Sequence, residues 1–340
     1  MLRDLSLDEL RRYQPAVEEP ADFAEFWAAD LAAAARAADG AAPLFARVED
    51  SGVRHADVLD VTFPGYAGDP VKGWLLLPHA MPPDTAFVVE YVGYGGGRGD
   101  PFDWLAWSCA GHPHLIMDTR GQGGGWLSAD TPDAGDSGAP STPGFLTRGI
   151  ADPRTYYYTR LFVDAVRAVD AARQHPASAG RPVITTGGSQ GGGLAIAAAH
   201  LGDGVAAALP DVPFLAAWRR AVEVTEANPY LELIKYCSVH SDQVDQVFRT
   251  LSYIDVVNHA KRATAPALFA VGLVDEITPA STVFAAYNHY AGPKKIEIYQ
   301  FNGHEGGLTR HFRAKLDFLS KLPPPAVHDR GQSGSAASTN

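Results

Sequence analysis

The sequence predicts an α/β protein: a mostly parallel central sheet flanked by helices, with a helical extension at the N-terminus and a helical insertion late in the chain. Three observations carry this expectation. From residue 86 onward, short apolar runs rich in β-branched residues take turns with helical patterns. Those runs do not alternate polar with apolar, which is how strands buried on both faces read. Finally, 340 residues with 46% hydrophobic and 20% charged side chains can bury a large core without disulfides or metal.

Taken in order, residues 5–10 (LSLDEL) read as a capped helical turn, and 22–38 is Ala-rich with Phe23, Phe26, Trp27 and Leu31 at helical spacing. Residues 53–63 and 71–78 alternate, are bounded by Gly65, Gly68, Asp69 and Pro70, and read as antiparallel strands. The buried strands follow at 87–92, 113–117, 182–186, 206–209, 265–271 and 295–299. Helices are expected at 155–174, 190–201, 281–290 and 308–319. Two stretches break the rhythm. Residues 121–150 form a long polar, Gly-rich loop, and 213–262 insert helical, aromatic-bearing sequence between two core strands. With no internal repeat, residues 1–322 read as one domain and 323–340 as a disordered tail.

Composition excludes several classes of partner. Twenty-eight Lys and Arg stand against 39 Asp and Glu, a net charge of −11. Nucleic acid and anionic membranes reward a basic surface, so neither is expected as a partner. Cys109 and Cys237 make neither a disulfide framework nor a zinc cluster, and no metal or cofactor is expected. Charges interrupt the first 15 residues where a signal peptide needs an apolar core, and no apolar run of about 18 residues occurs, so a cytoplasmic location is expected.

The chemistry concentrates at Gly187-Gly188-Ser189-Gln190-Gly191, which follows a β-branched strand and opens an Ala-rich helix. G-x-S-x-G in that setting holds a serine hydroxyl above the sheet at a helix N-terminus, where amides can face a developing oxyanion. A tight packing turn is the plainer alternative. A serine needs a base, and in the order Ser, Asp, His two later residues fit. Asp275 falls just past the strand at 265–271, and His304 just past 295–299. Asp275 would orient the imidazole and His304 would act first as base, then as acid. Glu276 competes for the acid role. His200 lies too far down the elbow helix, and His112 and His114 read as loop residues at the wrong sheet end. His304-Glu305 lacks the second histidine of a zinc protease.

The second oxyanion donor should come from the loop after an early strand, EYVGYGGGRG at 90–99. The amides of Tyr94 and Gln190 are the best pair. Trp126 and Pro213 are expected near the site. The loop lacks the features of a nucleotide cradle, and Arg120 in DTRGQG reads as an internal brace that binds carbonyls.

The segments GYGGGRG, DTRGQGGGW, GGSQGG, VGLVDEITP and NGHEGG together resemble carbohydrate esterase family seven, the acetyl xylan esterases and cephalosporin C deacetylases of the α/β-hydrolase superfamily. The likeness covers about residues 1–322. It implies a serine esterase with Ser189, Asp275 and His304 as triad and Tyr94 and Gln190 as oxyanion donors. It also implies small acetylated substrates, such as xylo-oligosaccharides and cephalosporin C, and a homohexamer whose sites face a central cavity. One departure is visible: Ile277-Thr278-Pro279 stands where family members often carry a Cys-Pro pair, a change expected to alter the pocket wall. A general short-chain carboxylesterase or peptidase of this fold, and a catalytically silent binding module, are the rival readings.

Overall fold

The computed structural model describes residues 4–133 and 141–322. The expected tail at 323–340 and part of the 121–150 loop lie outside the described residues. Three strands, β1 (Leu44–Arg47), β2 (Ala56–Pro64) and β3 (Pro70–Pro78), form an antiparallel edge. The rest are β4 (Phe87–Tyr91), β5 (His114–Met117), β6 (Val183–Gly188), β7 (Val205–Asp211), β8 (Ala267–Gly272) and β9 (Lys294–Tyr299). Together they make one sheet in the order β1-β2-β3-β5-β4-β6-β7-β8-β9, parallel from β5 to β9.

The helices begin with α1 (Leu7–Leu10), α2 (Phe23–Ala37), α3 (Leu105–Cys109), α4 (Tyr157–Gln174) and α5 (Gln190–Leu201). Between β7 and β8 come α6 (Trp218–Val224), α7 (Tyr230–Val239), α8 (Val244–Ile254) and α9 (Val256–Ala260), and α10 (Ala280–His289) and α11 (Leu308–Leu319) follow. The serine of Ser6 and the carboxylate of Glu9 cap α1 reciprocally. In α2 the buried Phe23, Phe26, Trp27 and Ala34 lie on one stripe, which packs into the same core as α4, α5 and α9. The opposite sheet face is covered by α3 and α11 through Trp107, Phe312 and Leu319. With both faces covered, β8 is buried at every position, which is why its sequence does not alternate.

Two expectations change. β1 was not anticipated: three of its four residues are exposed, so it carries no apolar signal. β2 begins at Ala56 rather than at residue 53, because its partner β3 ends at Pro78, opposite Ala56. The chain leaves β4 to build β5 on one side, then returns to place β6 on the other. The carboxyl ends of β4 and β6 therefore flank a topological switch point, where open parallel sheets leave a crevice for ligands.

Candidate active site

At that crevice β6 turns directly into α5. Ser189 sits at the turn with φ 57° and ψ −118°, in the left-handed half of backbone space that an L-residue enters only when its surroundings hold it there. Gly187 and Gly191 make the turn possible. A Cβ on Gly191 would lie 2.0 Å from the Tyr91 carbonyl oxygen, and one on Gly187 would lie 2.6 Å from it. The serine's N–H donates to Asp211 O (2.9 Å), and its carbonyl accepts from Phe214 N (2.9 Å), so the elbow is tied to the end of β7.

Asp275 follows β8 and His304 follows β9, so both reach the same edge of the sheet. His304 Nδ1 lies 2.9 Å from Asp275 Oδ2. Every other neighbour of that carboxylate fixes it as an acceptor. Oδ1 takes the amides of Ile277 (2.8 Å) and Thr278 (2.9 Å), and Oδ2 takes the Thr278 hydroxyl (2.7 Å). An imidazole oriented through Nδ1 presents Nε2 outward. Ser189 and His304 line one cleft of about 700 Å³, with Gly93, Tyr94, Trp126 and Ile277 among its other walls. Asp275 stands behind that wall, its side chain closed to solvent.

The expected oxyanion residues are tied into one network. Gln190 is fully buried, so its side chain is spent on structure: Nε2 donates to Val92 O (3.1 Å), and Oε1 accepts from Gln122 Nε2 and Tyr158 Oη (both 2.9 Å). Gln122 Oε1 in turn accepts from Gly95 N (2.6 Å). Trp126 Nε1 donates to Tyr94 O (3.0 Å), and the Tyr94 hydroxyl donates to Glu232. Among the described residues neither the Tyr94 nor the Gln190 amide has a protein acceptor. Burial pushes the Tyr94 phenol well above the usual tyrosine range and raises the Glu232 carboxyl as well.

All five expected site residues thus meet at one sheet edge. Glu276 is not part of the His304 hydrogen bond, although its carbonyl accepts from the Thr225 hydroxyl. Two expectations are corrected. Arg120 is buried but braces carboxylates rather than carbonyls: Asp164, Asp69 and Asp133 surround it. His114 is no loop residue. It opens β5, paired in register with Leu76 and Val88, and its Nε2 lies 2.8 Å from Glu90 Oε2. The departure at 277–279 places Thr278 against the Asp275–His304 pair, 3.3 Å from His304 Nδ1, and only Ile277 of the three lines the cleft. Gln122, Glu232 and Thr278 are the residues sequence reasoning missed. Gln122 had a signal, since it lies within the DTRGQG segment that carries Arg120.

Among the described residues no helix is long and apolar enough to cross a membrane, and no group of His, Cys, Asp and Glu could hold a metal ion. The family model for acetyl xylan esterase (AXE1) matches residues 1–322. The chain is similar to an acetyl xylan esterase from Paenibacillus sp. R4, with 37% identity, TM-score 0.82, and coverage of 94% of this chain and 100% of that one. It is also similar to acetyl xylan esterase 1 from Thermoanaerobacterium sp. JW/SL YS485, with 30% identity, TM-score 0.83, and coverage of 94% and 99%. Acetyl esterase Axe7A of Xylanibacter ruminicola is 31% identical over 166 residues, a match that spans 47% of this chain and 36% of that longer protein.

Proposed function

The chain belongs to the acetyl xylan esterase family, and from that premise we propose that it is a serine esterase removing acetyl groups from small acetylated sugars through an acyl-enzyme. The observation that carries the reading is the 2.9 Å Asp275–His304 contact in the cleft that holds Ser189 on its strained elbow. His304 Nε2 takes the Ser189 proton as the serine oxygen attacks the acetyl carbonyl, and Asp275 stabilises the imidazolium that results. The tetrahedral oxyanion sits between the amides of Tyr94 and Gln190. His304 then returns the proton to the departing sugar oxygen, leaving acetyl-Ser189. Water, deprotonated by the same imidazole, releases acetate and restores the serine.

For this chain we favour short xylo-oligosaccharides as substrates, with the acetoxymethyl ester of cephalosporin C as a second candidate of the same chemistry. A hexamer with enclosed sites, the assembly the family resemblance implies, would exclude intact polymer. Residues 1–322 form the catalytic domain in this reading, with 213–262 as its insertion. The test is an ester panel on the purified protein. Tyr94 and Trp126 crowd the cleft, and the Trp126 ring lies where a side chain on Gly96 would stand, which argues for a short acyl pocket. p-Nitrophenyl acetate should therefore turn over at least about tenfold faster than the butyrate, a difference of roughly 1.4 kcal/mol. Acetylated xylobiose should be cleaved and prolyl anilides left intact. Preference for butyrate would make it a general carboxylesterase, and cleavage of anilides a peptidase.

A further inference from the structure

We infer that Glu232, supplied by the helical insertion, is a positioning residue for the oxyanion site: it holds the Tyr94 amide in place by gripping the tyrosine hydroxyl. The inference rests on the serine-esterase reading and on Tyr94 N–H as an oxyanion donor. The loop that carries this amide has little stiffness of its own, because Gly93, Gly95, Gly96 and Gly97 surround Tyr94. The tyrosine side chain is the one side chain by which this run can be held.

The grip on it is complete. The Tyr94 hydroxyl lies 2.7 and 2.9 Å from the two Glu232 oxygens, to which it donates, and it accepts from the amides of Gly144 (3.1 Å) and Phe145 (3.0 Å). Glu232 Oε2 also accepts from the next amide, Leu146 N (3.2 Å). One phenol and one carboxylate thus engage three successive amides of the 144–146 turn, and every partner of Glu232 in this cluster is a donor. Only an acceptor-only carboxylate suits that arrangement. A glutamine would turn an NH₂ toward either the Leu146 amide or the phenol. Tyr94 O is held separately by Trp126 and Gly95 N by Gln122, so the peptide group after Tyr94 is fixed through the 122–126 segment. The side chain, and with it the insertion, fixes the residue itself. Glu232, which lines the same cleft as Ser189 and His304, therefore links the α6–α9 insertion to the Tyr94 amide.

The test compares Glu232→Gln, Tyr94→Phe and the double variant on p-nitrophenyl acetate, with rates expressed per active site titrated by a serine-directed organophosphate. Each single change should lower kcat by about tenfold or more while KM stays within about twofold, the pattern of an interaction made only in the transition state. The double variant should be no slower than the worse single one by more than about twofold, because the Tyr94–Glu232 contact is already lost in each single variant. Binding of methylboronic acid, whose adduct with serine is tetrahedral, should weaken in parallel with kcat. Glu232→Gln with kcat per titrated site within about twofold of wild type would overturn the inference. So would losses that multiply in the double variant, or boronate affinity that does not change. A protein in which the organophosphate fails to label Ser189 would instead remove the esterase reading underneath.

Discussion

Replacing Arg120 by methionine removes a guanidinium from a site with no solvent to replace it. Arg120 is 0% exposed and donates to Asp164 through Nε (2.5 Å) and Nη2 (2.9 Å), while Nη1 reaches Asp69 (3.2 Å) and Asp133 (3.3 Å). The three carboxylates do not lose equally. Asp69 is partly exposed, and Asp133 keeps Arg160 at 2.6 and 2.9 Å. Asp164, wholly buried, keeps only the Tyr66 amide (2.8 Å) among the described residues. The cost is therefore that of one buried charge left without its partner, about 3–5 kcal/mol. Burial opposes the arginine's charge, and Asp164 and Asp133 more than restore it, so the guanidinium is protonated at any working pH. Urea unfolding near neutral pH, followed by tryptophan fluorescence, measures the loss. Adding Asp164→Asn to Arg120→Met should recover at least ~2 kcal/mol, since the amide oxygen still accepts from Tyr66 and no bare charge remains. A single variant losing less than ~1 kcal/mol, or a double variant no better than the single, would refute the account of the brace.

Asp275→Asn should depress turnover on the order of 10⁴-fold, while Glu276→Gln stays within about threefold; the reverse ranking moves the acid role to Glu276. Acid should destabilise the fold through two histidines whose Nδ1 atoms lie 3.1 Å apart. Burial lowers His200 from 6.5 to about 4 and holds His259 well below the usual histidine range, the latter also through its neighbour His200. The folded values lie below the unfolded one, so this stability is fully present above pH 6.5 and is lost as pH falls toward 4. The slope should reach ~1.4 kcal/mol per pH unit for each histidine, and His200→Gln should make it shallower by one proton. A slope unchanged in that variant would remove His200 from the account.

The parts of this protein that are legible in sequence are those where local sterics leave few options. Gly187 and Gly191 flank Ser189 because any side chain there would strike the β4 backbone, so the elbow is written in adjacent residues. Asp275 can be read because it follows the buried apolar strand β8, and His304 because it follows β9, an outer strand whose apolar residues alternate with exposed charges. β1 is hidden by its exposure, and its pairing with β2 is a property of the partner. Glu232 meets Tyr94 across 138 positions and belongs to no local pattern, so nothing near it announces the contact. Arg120 was legible as a brace, but its acceptors were not. Among 39 acidic residues, only the fold decides that Asp164 is buried beside it. Thr278 shows a third limit. It shares a turn with Asp275, yet its bearing on His304 depends on how β8 and β9 end side by side.

The central claim is that Ser189 forms the covalent bond to the acyl group, and the most direct measurement is where a reactive ester analogue attaches. Treating the protein with a serine-directed phosphonate should stop p-nitrophenyl acetate turnover in proportion to labelling, one label per chain. Peptide mass spectrometry should place the adduct on Ser189. Ser189→Ala should take up no label, unfold like the parent, and lose on the order of 10⁴- to 10⁶-fold in turnover. An adduct on another residue, or an alanine variant that keeps about a tenth of the parental rate, would contradict the account.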